Sequence, residues 1–385
     1  MANRMIVPIV ALVCLVPHAA SAQNAPPTVA DLSAISATGQ LTTADEKTID
    51  EYVKYWIGVM KAAKAPGDIE KARKALIQGY GIQTSAGYGF AFAKSFSTHA
   101  PAVLTLEGDP LRQLKEVNVS LVAAQMSRAS IMPMLSKMLA HKNPAARYWA
   151  AKAFRGGQPP LGELLLVQGG QLARDMLAGL EAAARNEKSG NVFFELLRAM
   201  EPYVNAPEAG GKGLSDAQGK VLLARCADVH AGDVGIIRTF KEYVLLRGRA
   251  MDNQTFATAD RKTFFLQVLA DALEAASLAF LQADTRSGEA GEALRDLLIE
   301  LEAQLAAQTK TPSKPIKAVL DNAQDTDDVK AAKVRLAVNT HWKGELKNIK
   351  PGFVPPVKPA ADTAPAKPAA APATGPAATA PAEEK

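Results

Sequence analysis

The chain has 385 residues, 48% of them hydrophobic and 6% aromatic, with 44 Lys and Arg against 39 Asp and Glu. A formal charge of +5, with no run of five or more like charges, excludes the concentrated basic footprint by which nucleic-acid-binding proteins hold phosphate. The two cysteines, Cys14 and Cys226, exclude a disulfide framework, so the fold rests on packing alone.

The first residues, Met1–Arg4, form a short basic region, followed by an apolar run over 5–16 and the small residues Ala20-Ser21-Ala22. An apolar run of about a dozen residues is too short for a hydrocarbon core of ~30 Å. The small-x-small triplet suits a signal peptidase, so residues 1–22 predict an export signal cut before Gln23. Val13 stands where lipidation of Cys14 needs a small residue, so no lipid anchor is expected. The destination is periplasmic or secreted. Residues 23–40 predict a flexible segment. Arg4 carries one net positive charge and residues 350–385 another, which leaves +3 on the body. No other segment reads as apolar enough to cross a bilayer, since Leu161–Val167 is short and interrupted by Gly162 and Glu163.

The body predicts an all-α fold. Thr43-Ala44-Asp45-Glu46 has the pattern of a capping box, and Ile49, Tyr52, Val53, Trp56 and Met60 then recur at helical spacing. Between Gly79 and Phe92 every second residue is large or apolar, including Tyr80 and Tyr88. Period two suggests a strand or hairpin, yet Ser85 also suits the cap of a helix running through Phe96. The aromatics there form either a binding loop or, the plainer reading, part of the core. A further stripe is predicted at Leu111, Leu114, Val117, Leu121 and Val122.

Residues 131–157 read IMPMLSKMLAHKNPAARYWAAKAFRGG. This stretch resembles a HEAT repeat: an apolar helix, an Asn-Pro turn at Asn143-Pro144, then Arg147, Ala150 and Ala151, and a terminal Phe154. Asn143 suits an N-cap and Pro144 the first helical position. Ala146, Ala150 and Phe154 make a narrow ridge for close helix approach. The segments 172–185 with 191–200, and 221–229 with 236–246, follow as weaker hairpins at roughly the ~40–47-residue HEAT period. The resemblance implies an irregular HEAT-like solenoid over 41–255. Long helices with stripes at Phe265–Ala276 and Leu294–Leu305 predict a C-terminal helical bundle over 256–349. Residues 350–385, rich in Pro and Ala, predict a disordered tail that serves as a spacer or reflects composition alone.

No zinc helix, serine elbow, phosphate loop or haem motif occurs. Cys226 and His230 share a helical face, but two ligands do not make a structural zinc site. Asp325, Asp327 and Asp328 read as acids opening a helix rather than a calcium loop. No catalytic, cofactor or metal residue is therefore assigned. The expected function is an exported non-catalytic scaffold binding a protein or peptide, with Arg147, Tyr148, Trp149, Tyr80 and Tyr88 as candidate contacts. The alternatives are an envelope-polymer hydrolase, with His99 or His141 beside two carboxylates, or a tether acting through the tail.

Overall fold

A computed structural model describes residues 26–156, 161–162, 170–202, 217–251 and 259–349. The expected signal, the tail and Gly157 lie outside the described residues. All regular structure among the described residues is helical, and the chain divides into two compact units, Met1–Lys137 and Met138–Lys385.

The first unit comprises α1 (Val29–Ser36), α2 (Thr43–Ala62), α3 (Pro66–Gly81), α4 (Ala86–His99), α5 (Pro101–Leu104) and α6 (Arg112–Ala123). Helix α1 lies inside the segment expected to be flexible. Thr28 and Asp31 form a reciprocal capping box at its start, and Ser36 Oγ ties its end to Ile82 O at 2.8 Å and to the Thr84 N–H at 2.8 Å. Leu32 and Ile35 are its buried apolar residues, too few in eight positions to show as a stripe. At α2 the capping box is Thr42 with Asp45, one residue before the expected start. Ser85 caps α4, so 86–99 is helix and the period-two reading fails.

Ile49, Tyr52, Val53, Ile57 and Met60 of α2 are buried with α3 and α4. Trp56, placed in this stripe by spacing, is only half-buried. Phe92 centres an aromatic cluster, its ring 6.3, 5.8 and 6.0 Å from Tyr52, Tyr80 and Tyr88. Each tyrosine hydroxyl has a partner: Tyr52 Oη donates to Ala75 O, Tyr88 Oη to Gly79 O, and Tyr80 Oη accepts from the Ser127 N–H. A Cβ at Gly79 would sit 2.7 Å from the Tyr52 ring, so this crossing requires glycine.

The face of α6 differs from expectation. Leu114 is 38% exposed, while Lys115, Glu116, Asn118 and Ser120 are buried beside Val119 and Val122. Three of these polar side chains are hydrogen-bonded where they stand, and Glu116 is ion-paired with Arg112 at 3.4 Å. Lys115 Nζ donates to Asp109 Oδ2 at 2.7 Å and Lys61 O at 2.8 Å, and Asn118 and Ser120 donate to carbonyls one turn back. The carbon stems then pack as apolar matter.

Helix α7 (Met132–Leu139) runs across the division between the units. The second unit continues with α8 (Pro144–Ala153), α9 (Gly170–Asn186), α10 (Gly190–Ala199), α11 (Ala217–His230) and α12 (Val234–Met251). Next come α13 (Ala259–Leu281), α14 (Ala283–Arg286), α15 (Gly288–Thr309), α16 (Pro315–Asp321), α17 (Asp327–Ala337), a π-turn (Val338–Trp342) and α18 (Lys343–Ile349). Asn143 Oδ1 accepts from the Ala145 N–H at 2.9 Å and Pro144 opens α8, as the local pattern required.

These helices form two layers. In one, α8 packs on α10, α10 on α12 and α12 on α15; in the other, α9 packs on α11, α11 on α13 and α13 on α17. Neighbours in the first layer run in the same sense, whereas α17 runs against α13, since Arg335 near its end meets Glu274 and Ser277 while Asp328 at its start meets Arg286 beyond the end of α13. Arg147 reaches Glu187 and Arg155 reaches Glu195, each across 40 residues, which only parallel helices at fixed register allow. The expected boundary at 255–256 falls inside this unit, where α12 packs on α15 and α11 on α13. The stripes Phe265–Ala276 and Leu294–Leu305 are buried faces of α13 and α15. Segment Arg261–Leu281 is long and apolar enough to cross a membrane, with mean hydropathy 1.6, contrary to the reading of the sequence. Its apolar face packs within the unit, 72% of the window being buried. Asp327 and Asp328 open α17 beside the Thr326 cap, paired with Arg295 and Arg286.

The contact of α10 with α12 is closest at two glycines. A Cβ built on Gly190 would lie 2.5 Å from Gly235 Cα, against backbone that cannot rotate aside. Gly190→Ala is expected to cost about 1–3 kcal/mol in denaturant unfolding. Gly58→Ala, where a Cβ meets nothing within 4 Å on α2, should instead stabilise by up to ~1 kcal/mol. Equal effects at the two sites would refute the close approach.

Candidate peptide-binding groove

Of the residues singled out from sequence, Tyr80 and Tyr88 are 5% and 0% exposed and serve the first unit's core. Arg147 is engaged rather than free. Nε and Nη2 form a bidentate pair with Glu187 at 2.6 and 2.9 Å, and Nη1 donates to the carbonyls of His141 and Lys142. Burial opposes ionisation of Glu187. Arg147 and the N–H groups of Ser189 and Lys188 nonetheless hold its carboxyl below the usual value. Tyr148 and Trp149 are half-buried, packed edge to face at 5.4 Å, with the Lys152 ammonium 4.7 Å from the Trp149 ring. All three are partly exposed, but only the two rings are free of an ion pair.

The sequence reading missed a groove between α10 and α12. Phe194, Leu197, Arg198 and Glu201 line one wall, and Tyr243, Leu246, Arg247 and Ala250 the other. Both sets follow i, i+3, i+4, i+7 spacing, so equivalent turns of two parallel helices face each other. The Arg198 guanidinium lies 5.5 Å from the Phe194 ring and that of Arg247 5.5 Å from the Tyr243 ring. Gln218, from the first turn of α11, fixes the floor: its Nε2 donates to Leu197 O at 2.5 Å and its Oε1 accepts from Arg247. Arg247 Nε also donates to Tyr243 Oη at 3.2 Å. Arg155, Glu195 and Arg198 link this wall back to α8.

Chemically the groove offers ring faces, an exposed leucine (Leu246, 42%) and two delocalised cations over a fixed floor. Among the described residues that line it, Glu201 is the one carboxylate and none is a serine, cysteine or histidine. That set suits holding an apolar side chain beside an acidic group. The signal in the sequence was an aromatic followed four residues later by Arg, on each of the two alternate helices α10 and α12.

Among the described residues, the other chemistry-bearing side chains singled out above are placed as follows. In the first unit Ser95 Oγ and His99 Nε2 both reach Asp50 Oδ1, at 2.8 and 2.9 Å. The carboxylate sits in the middle, so Ser95 has no imidazole base. Burial opposes it, yet these hydrogen bonds hold the Asp50 carboxyl below its ordinary value. Burial pushes the Cys226 thiol far up, with Asp271 and Asp228 adding to the shift, so the thiolate is disfavoured. His230 meets Gln282 at 3.1 Å. Among the described residues no group of three or more His, Cys, Asp or Glu is placed to hold a metal ion. Comparison of the chain with protein-family models, curated proteins and solved structures gave no match.

Proposed function

We propose that this chain is an exported, non-catalytic helical-repeat scaffold that binds a protein or peptide in the periplasm or outside the cell. The second unit is read as an irregular HEAT-like stack, and the groove between α10 and α12 as its docking surface. The observation that carries the reading is the repeated pair, Phe194 with Arg198 and Tyr243 with Arg247, at matched positions on parallel neighbours. Repeat stacks expose long surfaces lined by equivalent positions of successive helices, and binding rather than chemistry is their usual work. The groove's charge favours a partner segment carrying an acidic residue next to an apolar one.

Leu246→Asp tests this without touching the core, because Leu246 is exposed. Its thermal unfolding should match wild type within about 0.5 kcal/mol, as for most surface changes. Binding of the partner should fall by about ten-fold or more, since an acid now faces an acid. Unchanged binding would remove the groove from the account.

A further inference from the structure

The pairing that lines the groove occurs a third time, on α8. The Lys152 ammonium lies 5.6 Å from the ring of Tyr148 four residues earlier, as Arg198 lies over Phe194 and Arg247 over Tyr243. Arg155 follows seven residues after Tyr148, in the turn that closes α8, and so lies on the same side. Its Nη1 reaches Glu195 Oε2 at 3.4 Å, and Arg198 Nη1 reaches Oε1 of the same carboxylate at 3.8 Å. That side of α8 is therefore joined to the α10 wall of the groove. Lys152 is exposed, and Arg155, Arg198 and Arg247 are half-buried.

Positive charge is in surplus along this row. Four cations, Lys152, Arg155, Arg198 and Arg247, stand against the two carboxylates of Glu195 and Glu201, a difference of two. Glu195 is itself buried between two of the arginines. Glu242 and Arg249, both exposed on α12, cancel. A complementary partner brings carboxylates.

The spacing of the helices selects its shape. Packed helices stand ~8–10 Å apart, and polyproline II chain advances ~3.1 Å per residue, so such a chain crossing the layer meets a new helix about every three residues. Three residues also make one turn of that conformation, which brings every third side chain to one face. A β-strand alternates with period two and would turn the middle one of three such side chains away. A partner helix, ~10 Å across, does not enter a groove of about 210 Å³.

We propose that α8, α10 and α12 form one docking face, whose ligand is a peptide segment of polyproline II form with acidic side chains three residues apart. The carboxylates meet the cations of the three helices in turn, and an apolar side chain beside them rests on Leu246. This rests on the reading of the α10–α12 groove above and extends it by one helix and by the spacing of the charges. Fluorescence anisotropy tests it on the full chain, with a labelled peptide of Glu-Leu-Pro repeated three times. A control peptide has the same composition with its three glutamates adjacent. The spaced peptide should bind about ten-fold more tightly than the control. Leu246→Asp in the groove and Lys152→Glu on α8 should each weaken its binding about ten-fold, with an unchanged thermal melt because both residues are exposed. Loss with Leu246→Asp but not with Lys152→Glu would overturn the three-helix face and leave the groove reading standing. Equal binding of the two peptides, or no binding of the spaced one, would overturn the proposal. Indifference to both variants would overturn it and count against the groove as well.

Discussion

Glu302→Ala should be the most destabilising single substitution in the second unit, lowering the unfolding free energy by about 3–5 kcal/mol. The Glu302 side chain is fully buried on α15 and accepts from three N–H groups. These are Ile316 N at 2.7 Å, Lys317 N at 2.6 Å and Trp342 Nε1 at 3.1 Å. Pro315 opens α16 without an N–H, and that helix has no side-chain cap of its own, so Glu302 supplies it from another helix. It also fixes Trp342 in the π-turn, whose indole is 0% exposed. Alanine would strand all three donors in the interior, at about 1–3 kcal/mol each before relaxation. Calorimetry should show a melting point lower by about 10 °C, and a smaller loss in Glu302→Gln, which keeps one acceptor oxygen. A loss under about 1 kcal/mol in the alanine variant would mean that water replaces the carboxylate.

Arg147→Met should cost about 3 kcal/mol at neutral pH, because it leaves the Glu187 carboxylate buried with two N–H donors and no cation. The pH dependence distinguishes this from lost packing. In wild type the folded Glu187 carboxyl titrates below its ordinary 4.5. Its contribution is therefore complete above that value and is lost as pH falls through the lower folded pKa. Below that window Glu187 is protonated with or without Arg147. The gap between wild type and Arg147→Met should consequently narrow as pH drops from 7 to below 4.5. A gap constant with pH would assign Arg147 to packing alone.

Arg147 also marks how far the sequence could be read. Its position after Asn143-Pro144 was legible, as were both caps and the buried stripes of α13 and α15, because those signals are local. Its partner Glu187 was not, since nothing within one helix says which residue 40 places on will face it. The same gap hid the groove: Phe194 with Arg198 and Tyr243 with Arg247 look like two ordinary turns until α10 and α12 lie side by side. Helix α6 defeated the stripe rule for another reason. Lys115 satisfies its ammonium through Asp109 and Lys61 O, partners that periodicity does not register, so the polar face went inward. Helix α1 escaped because it is only eight residues long and buries just Leu32 and Ile35, too few positions for a periodic stripe to show.

The central claim is that the α10–α12 groove receives a partner. A photo-crosslinking residue at position 246, in the exported protein in living cells, tests it most directly, with position 172 on α9 as a control of similar exposure. The account predicts one discrete adduct from position 246, lost when Arg198→Ala is added, and none from position 172. Equal adducts at both positions, or none at 246, would contradict it.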